Sequence, residues 1–155
     1  MNDAAVPIGV AKRRLAVIWL SGFGFLLCLL MAQSVRGVYG PKVEQAWAWL
    51  LPCVMPTLSL IVGVIVSDAQ KPGPADKQVD RFIVRLAVAF SVAYLFVVSA
   101  TILLQPFSSL TPLGLMTQSH LWLAPLQGLN TAVLGALFVR QDPKDGDAKG
   151  PPRAV

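Results

Sequence analysis

Long apolar stretches alternate along this chain with short segments rich in charge, glycine and proline, and the stretches are too long to be strands. Lys12, Arg13 and Arg14 precede the first stretch, which runs from Leu15 to about Ala32 (15–32). The others cover about 46–67, 82–104 and 121–139. A helix rises about 1.5 Å per residue and the hydrocarbon of a bilayer is about 30 Å thick, so one crossing takes about 20 residues. The pattern therefore predicts an all-α integral membrane four-helix bundle, a transmembrane domain over 1–141. Residues 142–155 combine Asp142, Pro143, Lys144 and Asp145 with a Gly-Pro-Pro run; with nothing to bury, they are expected to be a disordered cytoplasmic tail.

The connecting segments carry turn chemistry. Gly40-Pro41 follows the first stretch, and Lys71-Pro72-Gly73-Pro74 follows the second, where proline cannot continue a helix. The segment from Gln105 to His120 has no Lys, Arg, Asp or Glu but contains Pro106, Pro112 and Gly114, and it reads as an interfacial or partly re-entrant loop. The basic head and apolar body of the first stretch also fit a secretory signal peptide. A signal peptide's apolar region is about 7–15 residues and ends near small residues, so the longer stretch ending around Met31, Ala32 and Gln33 is expected to be a retained helix.

Composition narrows the class further. Of 155 residues, 55% are hydrophobic and only 14% charged, more apolar surface than a water-soluble domain of this size can hide. The net charge of +5 would suit a nucleic-acid partner only if Lys and Arg gathered on one solvated face; here they flank apolar stretches, so no nucleic-acid partner is expected. The partner they imply is the lipid bilayer, with anionic headgroups on the cytoplasmic side.

Orientation follows from the placement of those cations. With four spans, one side holds Lys12, Arg13, Arg14, Lys71, Lys77, Arg81, Arg85, Arg140, Lys144, Lys149 and Arg153, and the other only Arg36 and Lys42. Basic flanks resist translocation, which puts both termini in the cytoplasm and implies the inner membrane of a bacterial cell. Tyr39, Trp47, Trp49 and Trp122 then fall at the outer interface and Trp19 near the inner one.

Arg14-Leu15-Ala16-Val17 recurs as Arg85-Leu86-Ala87-Val88, Trp49-Leu50-Leu51-Pro52 is echoed by Trp122-Leu123-Ala124-Pro125, and Gln33 and Gln105 close the first and third spans. The offsets of 71 to 73 residues suggest two tandem helical hairpins in the same orientation, set against chance alignment of apolar segments.

In lipid, helices associate through close packing of small residues and through interhelical hydrogen bonds. Small residues one turn apart form packing stripes at Gly24, Cys28 and Ala32, at Ser59, Gly63 and Ser67, at Ala87 and Ser91, and at Gly128, Ala132 and Ala136. Pro52 and Pro56 predict a kink in the second span. Thr57, Ser59, Tyr94, Gln127, Asn130 and Thr131 are the candidates for an intramembrane polar cluster, which would bind a small solute or join helices.

No Asp or Glu lies inside a span to relay protons. His120 has no other ligand type nearby for a metal, Cys28 and Cys53 sit in apolar runs, and no Ser-His-Asp or phosphate-loop pattern is present. No enzyme activity, cofactor or metal is expected. The function implied is a membrane anchor, an accessory subunit or an oligomeric membrane effector. It would associate as a homo-oligomer, or with a cytoplasmic protein through the loop from Asp68 to Arg81 or the tail. The alternative is a channel or facilitator for a small neutral solute or ion.

Overall fold

A computed structural model of the chain describes residues 6–70 and 78–139. The expected disordered tail and the Lys71 to Pro74 turn lie outside the described residues. Four helices make up almost all of the rest: α1 (Ile8–Val35), α2 (Val43–Gln70), α3 (Arg81–Leu103) and α4 (Pro112–Val139). All four are long and apolar enough to cross a membrane, and the protein is a multi-pass integral membrane protein.

Local chemistry sets the helix ends. After α1 the chain reverses at Gly37, whose φ of +73° is left-handed. Its N–H donates to the Ser34 carbonyl at 3.0 Å and that of Val38 to the Gln33 carbonyl at 3.1 Å, a Schellman closure that satisfies two of the last carbonyls of the helix. The Asp80 carboxylate accepts from the Phe82 N–H at 2.8 Å and caps α3. At the start of α4 the Thr111 hydroxyl accepts from the Gly114 N–H at 3.1 Å, and Pro112, needing no donor, opens the helix. Residues 112–120, expected to belong to a loop, are thus the first turns of α4. The apolar pattern alone missed this cap, because the segment has no charge to mark a boundary and few strongly apolar residues to extend the span.

α1 packs mainly against α2 and α3, and α4 against the same two, so α1 and α4 occupy one diagonal of the bundle and α2 and α3 the other. The hairpins α1–α2 and α3–α4 lie side by side, with α1 running parallel to α3 and α2 parallel to α4. Gly22 makes the α1–α3 approach close: a Cβ there would meet Leu95 Cδ1 at 2.6 Å.

At the end carrying Arg13 and Arg81, the Lys12 ammonium meets the Asp68 carboxylate at 2.5 Å and ties the start of α1 to the end of α2. Lys12 is nearly buried there while Asp68 is half exposed. Beside it, Val6–Pro7 (β1) and Gln78–Val79 (β2) form a two-residue antiparallel pairing that holds the start of α1 next to the lead into α3. The core between the helices is mostly aliphatic, with Leu15, Leu30, Leu50, Ile61, Ile102 and Leu134 fully buried.

Candidate functional site

Proline chemistry in α2 organises the interior. Pro56 lacks an N–H, so the carbonyl of Pro52, one turn back, has no helical partner, and the ring also crowds it. In a bilayer that carbonyl cannot turn to water. The side-chain amide of Gln127 on α4 donates to it at 2.9 Å. At the next carbonyl along, that of Cys53, the Tyr94 hydroxyl of α3 donates at 2.7 Å. Two of the candidate polar residues therefore cap the backbone of the proline-bearing helix.

Around this point all four helices contribute. The Trp19 indole of α1 stacks on the Tyr94 ring, centroids 5.9 Å apart and 28° between planes. One turn from Tyr94 on α3, the Ser91 hydroxyl donates to the Asn130 side-chain oxygen of α4 at a long 3.4 Å. Thr57, one turn from Cys53 on the same face of α2, and Asn130 are both 0% exposed. The structure thus gathers Thr57, Tyr94 and Asn130 into the interior, sets Gln127 at its edge, leaves Thr131 half-buried, and turns Ser59 outward.

Trp19, expected near the inner interface, is fully buried inside the bundle. Trp49, expected at the outer interface, is also buried, and its N–H donates to the Ser119 hydroxyl at 3.1 Å. Position along the chain bears on depth alone; the helical face on which each indole falls sets its burial, Trp49 against the Ser119 hydroxyl and Trp19 against the Tyr94 ring.

A second polar group lies at the opposite end from Lys12. The Tyr39 hydroxyl contacts the amide oxygens of Gln33 and Gln105, the latter at 3.3 Å, and Gln33 donates weakly to the Ile102 carbonyl at 3.4 Å. A hydroxyl carries a single hydrogen, so it is shared between the two amides or one amide presents its N–H₂ instead. Burial raises the Tyr39 pKa above the usual 10, and the Gln105 hydrogen bond partly offsets this. Gln33 and Gln105 stood out in the sequence only as matching ends of the first and third spans; Tyr39 is the residue that joins them.

The small-residue stripes divide by face. Ala87 and Ser91 are buried between helices. Cys28 and Ala32 on α1, Ser59, Gly63 and Ser67 on α2, and Gly128, Ala132 and Ala136 on α4 are exposed on the outside of the bundle, and Gly24 is half-buried with open space around its Cα. The close approach within the chain uses Gly22 instead, on a different face from Gly24.

Chemically, this interior is a set of hydroxyls, amides and an indole without a charged group. Among the described residues no three His, Cys, Asp or Glu side chains come together. His120 is exposed and meets the Trp49 ring edge-on, with ring centroids 6.3 Å apart. Compared with known protein families, curated proteins and solved structures, the chain matches none.

Proposed function

We propose that this protein is a non-catalytic membrane component, an anchor, accessory subunit or oligomeric effector that works by helix association in the bilayer. The observation that supports this reading is the outward placement of Cys28 and Ala32, of Ser59, Gly63 and Ser67, and of Gly128, Ala132 and Ala136. Small residues at one-turn spacing let a helix from another copy or another protein approach closely, the main source of association where lipid removes the hydrophobic drive. The interior polar groups support it too, since Gln127, Tyr94 and Ser91 are engaged in joining helices.

The orientation that goes with this reading puts Lys12, Arg13, Arg14, Arg81 and Arg85 at the cytoplasmic face of a bacterial inner membrane, against anionic headgroups. A cytoplasmic protein partner would meet the α2–α3 connection or the tail. Determining the oligomeric state in lipid nanodiscs tests the association. Wild type is expected to form an oligomer that Gly63→Leu or Gly128→Leu dissociates without unfolding the monomer; a monomer at all concentrations contradicts a homo-oligomer and leaves association with another protein, tested by co-purification from the native membrane.

A second reading is a path for a small neutral solute or ion, favoured by the two prolines in α2 and by fully buried Thr57 and Asn130. Liposome flux separates the two: a flux abolished by Asn130→Leu supports the path, and tight liposomes support the associating component.

A further inference from the structure

The interior layer leaves buried polar groups on three of the four helices without a partner in the chain. Trp19 Nε1, Thr57 Oγ1 and Asn130 Nδ2 are buried and have no hydrogen-bond partner within the chain. Leaving such a group dry in an apolar medium costs about 1–3 kcal/mol, and three together at mid-membrane is a heavy load for a small bundle.

Direct contacts and single helical turns link the three groups. Trp19 stacks on Tyr94, Tyr94 reaches the Cys53 carbonyl one turn from Thr57, and Ser91, one turn from Tyr94, reaches Asn130. Each comes from a different helix, α1, α2 and α4, with Ser91 of α3 between them. The usual resort of a helical threonine, a bond back to the carbonyl four residues earlier, is not made by Thr57, and the Cys53 carbonyl receives the Tyr94 hydroxyl instead.

We infer that this layer binds internal water, bridging Trp19, Thr57 and Asn130 across helices that no direct hydrogen bond joins there. The donor balance selects the ligand. The indole N–H and the amide N–H₂ need an acceptor, whereas Thr57 Oγ1 and the second lone pair of Asn130 Oδ1 accept. Water supplies both functions in the smallest volume and typically makes about three such bonds in protein interiors. It also tolerates either orientation of the Asn130 amide, since exchanging its oxygen and nitrogen only exchanges which partner donates. A cation would find no carboxylate among these groups, and an anion no positive charge, so either would be held without compensation for its lost hydration.

Two measurements on the full chain in nanodiscs test this. Magnetisation transfer from water to the Trp19 indole N–H and the Asn130 side-chain amide is expected in wild type, and its absence from both overturns the inference. Thr57→Val provides a test with opposite signs. A threonine hydroxyl bonded to water is lost at a cost, so the unfolding midpoint falls, whereas a dry hydroxyl replaced by a methyl group leaves the midpoint unchanged or raises it, which overturns the inference. The valine is close to isosteric with threonine, so its packing in α2 is retained.

Discussion

Gln127 on α4 donates its side-chain amide to the Pro52 carbonyl on α2 at 2.9 Å, the carbonyl that Pro56 leaves without a helical partner. The bond exists because of the proline, so the two positions are energetically coupled. Gln127→Leu is expected to cost about 0.6 kcal/mol, up to about 1.7 kcal/mol, the range for interhelical hydrogen bonds in membranes. In a Pro56→Ala background the carbonyl regains an N–H partner, and the same change is expected to cost less. A double-mutant cycle of unfolding in mixed micelles checks this; equal costs in both backgrounds would remove the coupling.

Tyr94→Phe keeps the stack on Trp19 and removes only the hydrogen bond to the Cys53 carbonyl. Its expected cost is in the same range, about 0.6–1.7 kcal/mol. Tyr94→Ala also loses the ring from the interior and is expected to cost more than Tyr94→Phe, about 3–5 kcal/mol in total by comparison with large-to-small aromatic changes in soluble cores. The unfolding free energies of the two variants check that order.

How much of this was readable in the chain differs by level. The four spans stand out because ionised groups are excluded from about 20 residues at a time, a constraint that acts on sequence directly. Which polar residues meet was less readable. Thr57, Tyr94, Gln127 and Asn130 stand out as polar residues in apolar runs, but that Gln127 serves Pro52 and Tyr94 serves Cys53 depends on the neighbour order of the helices. That order, with α2 and α3 on a diagonal, is set by packing such as Leu95 against Gly22 rather than by any local pattern. The start of α4 was hidden for a different reason: Pro112 and Gly114 look like loop residues until Thr111 is seen as their cap.

The left-handed conformation of Gly37 makes the turn after α1 sensitive to a single methyl group. Gly37→Ala has open space for its Cβ but must adopt φ near +73°, and about 1–2 kcal/mol of destabilisation is expected from backbone strain. Gly24→Ala, on a helical φ in equally open space, is expected to be neutral or mildly stabilising. Comparing the two unfolding midpoints separates strain from packing.

Tyr39 predicts a pH dependence at the opposite end from Lys12. Its pKa is raised above 10 in the folded protein, chiefly by burial. The folded state holds the phenolic proton more tightly than the unfolded state, so stability slopes are expected to be flat below about pH 10, the ordinary tyrosine pKa, and to fall as pH rises through the folded value. Tyr39→Phe is expected to remove that part of the alkaline loss. Unfolding midpoints across the alkaline range, wild type against variant, check it.

The most direct test of the four-span architecture is sidedness of labelling in sealed membrane vesicles. With Cys28 and Cys53 replaced by alanine, single cysteines at Val38 and Ser109 are predicted to react with a membrane-impermeant maleimide from one side, and cysteines at Gln70 and Arg81 only from the other. Reaction of Val38 and Gln70 from the same side, or of all four without opening the vesicles, would contradict the four-span bundle.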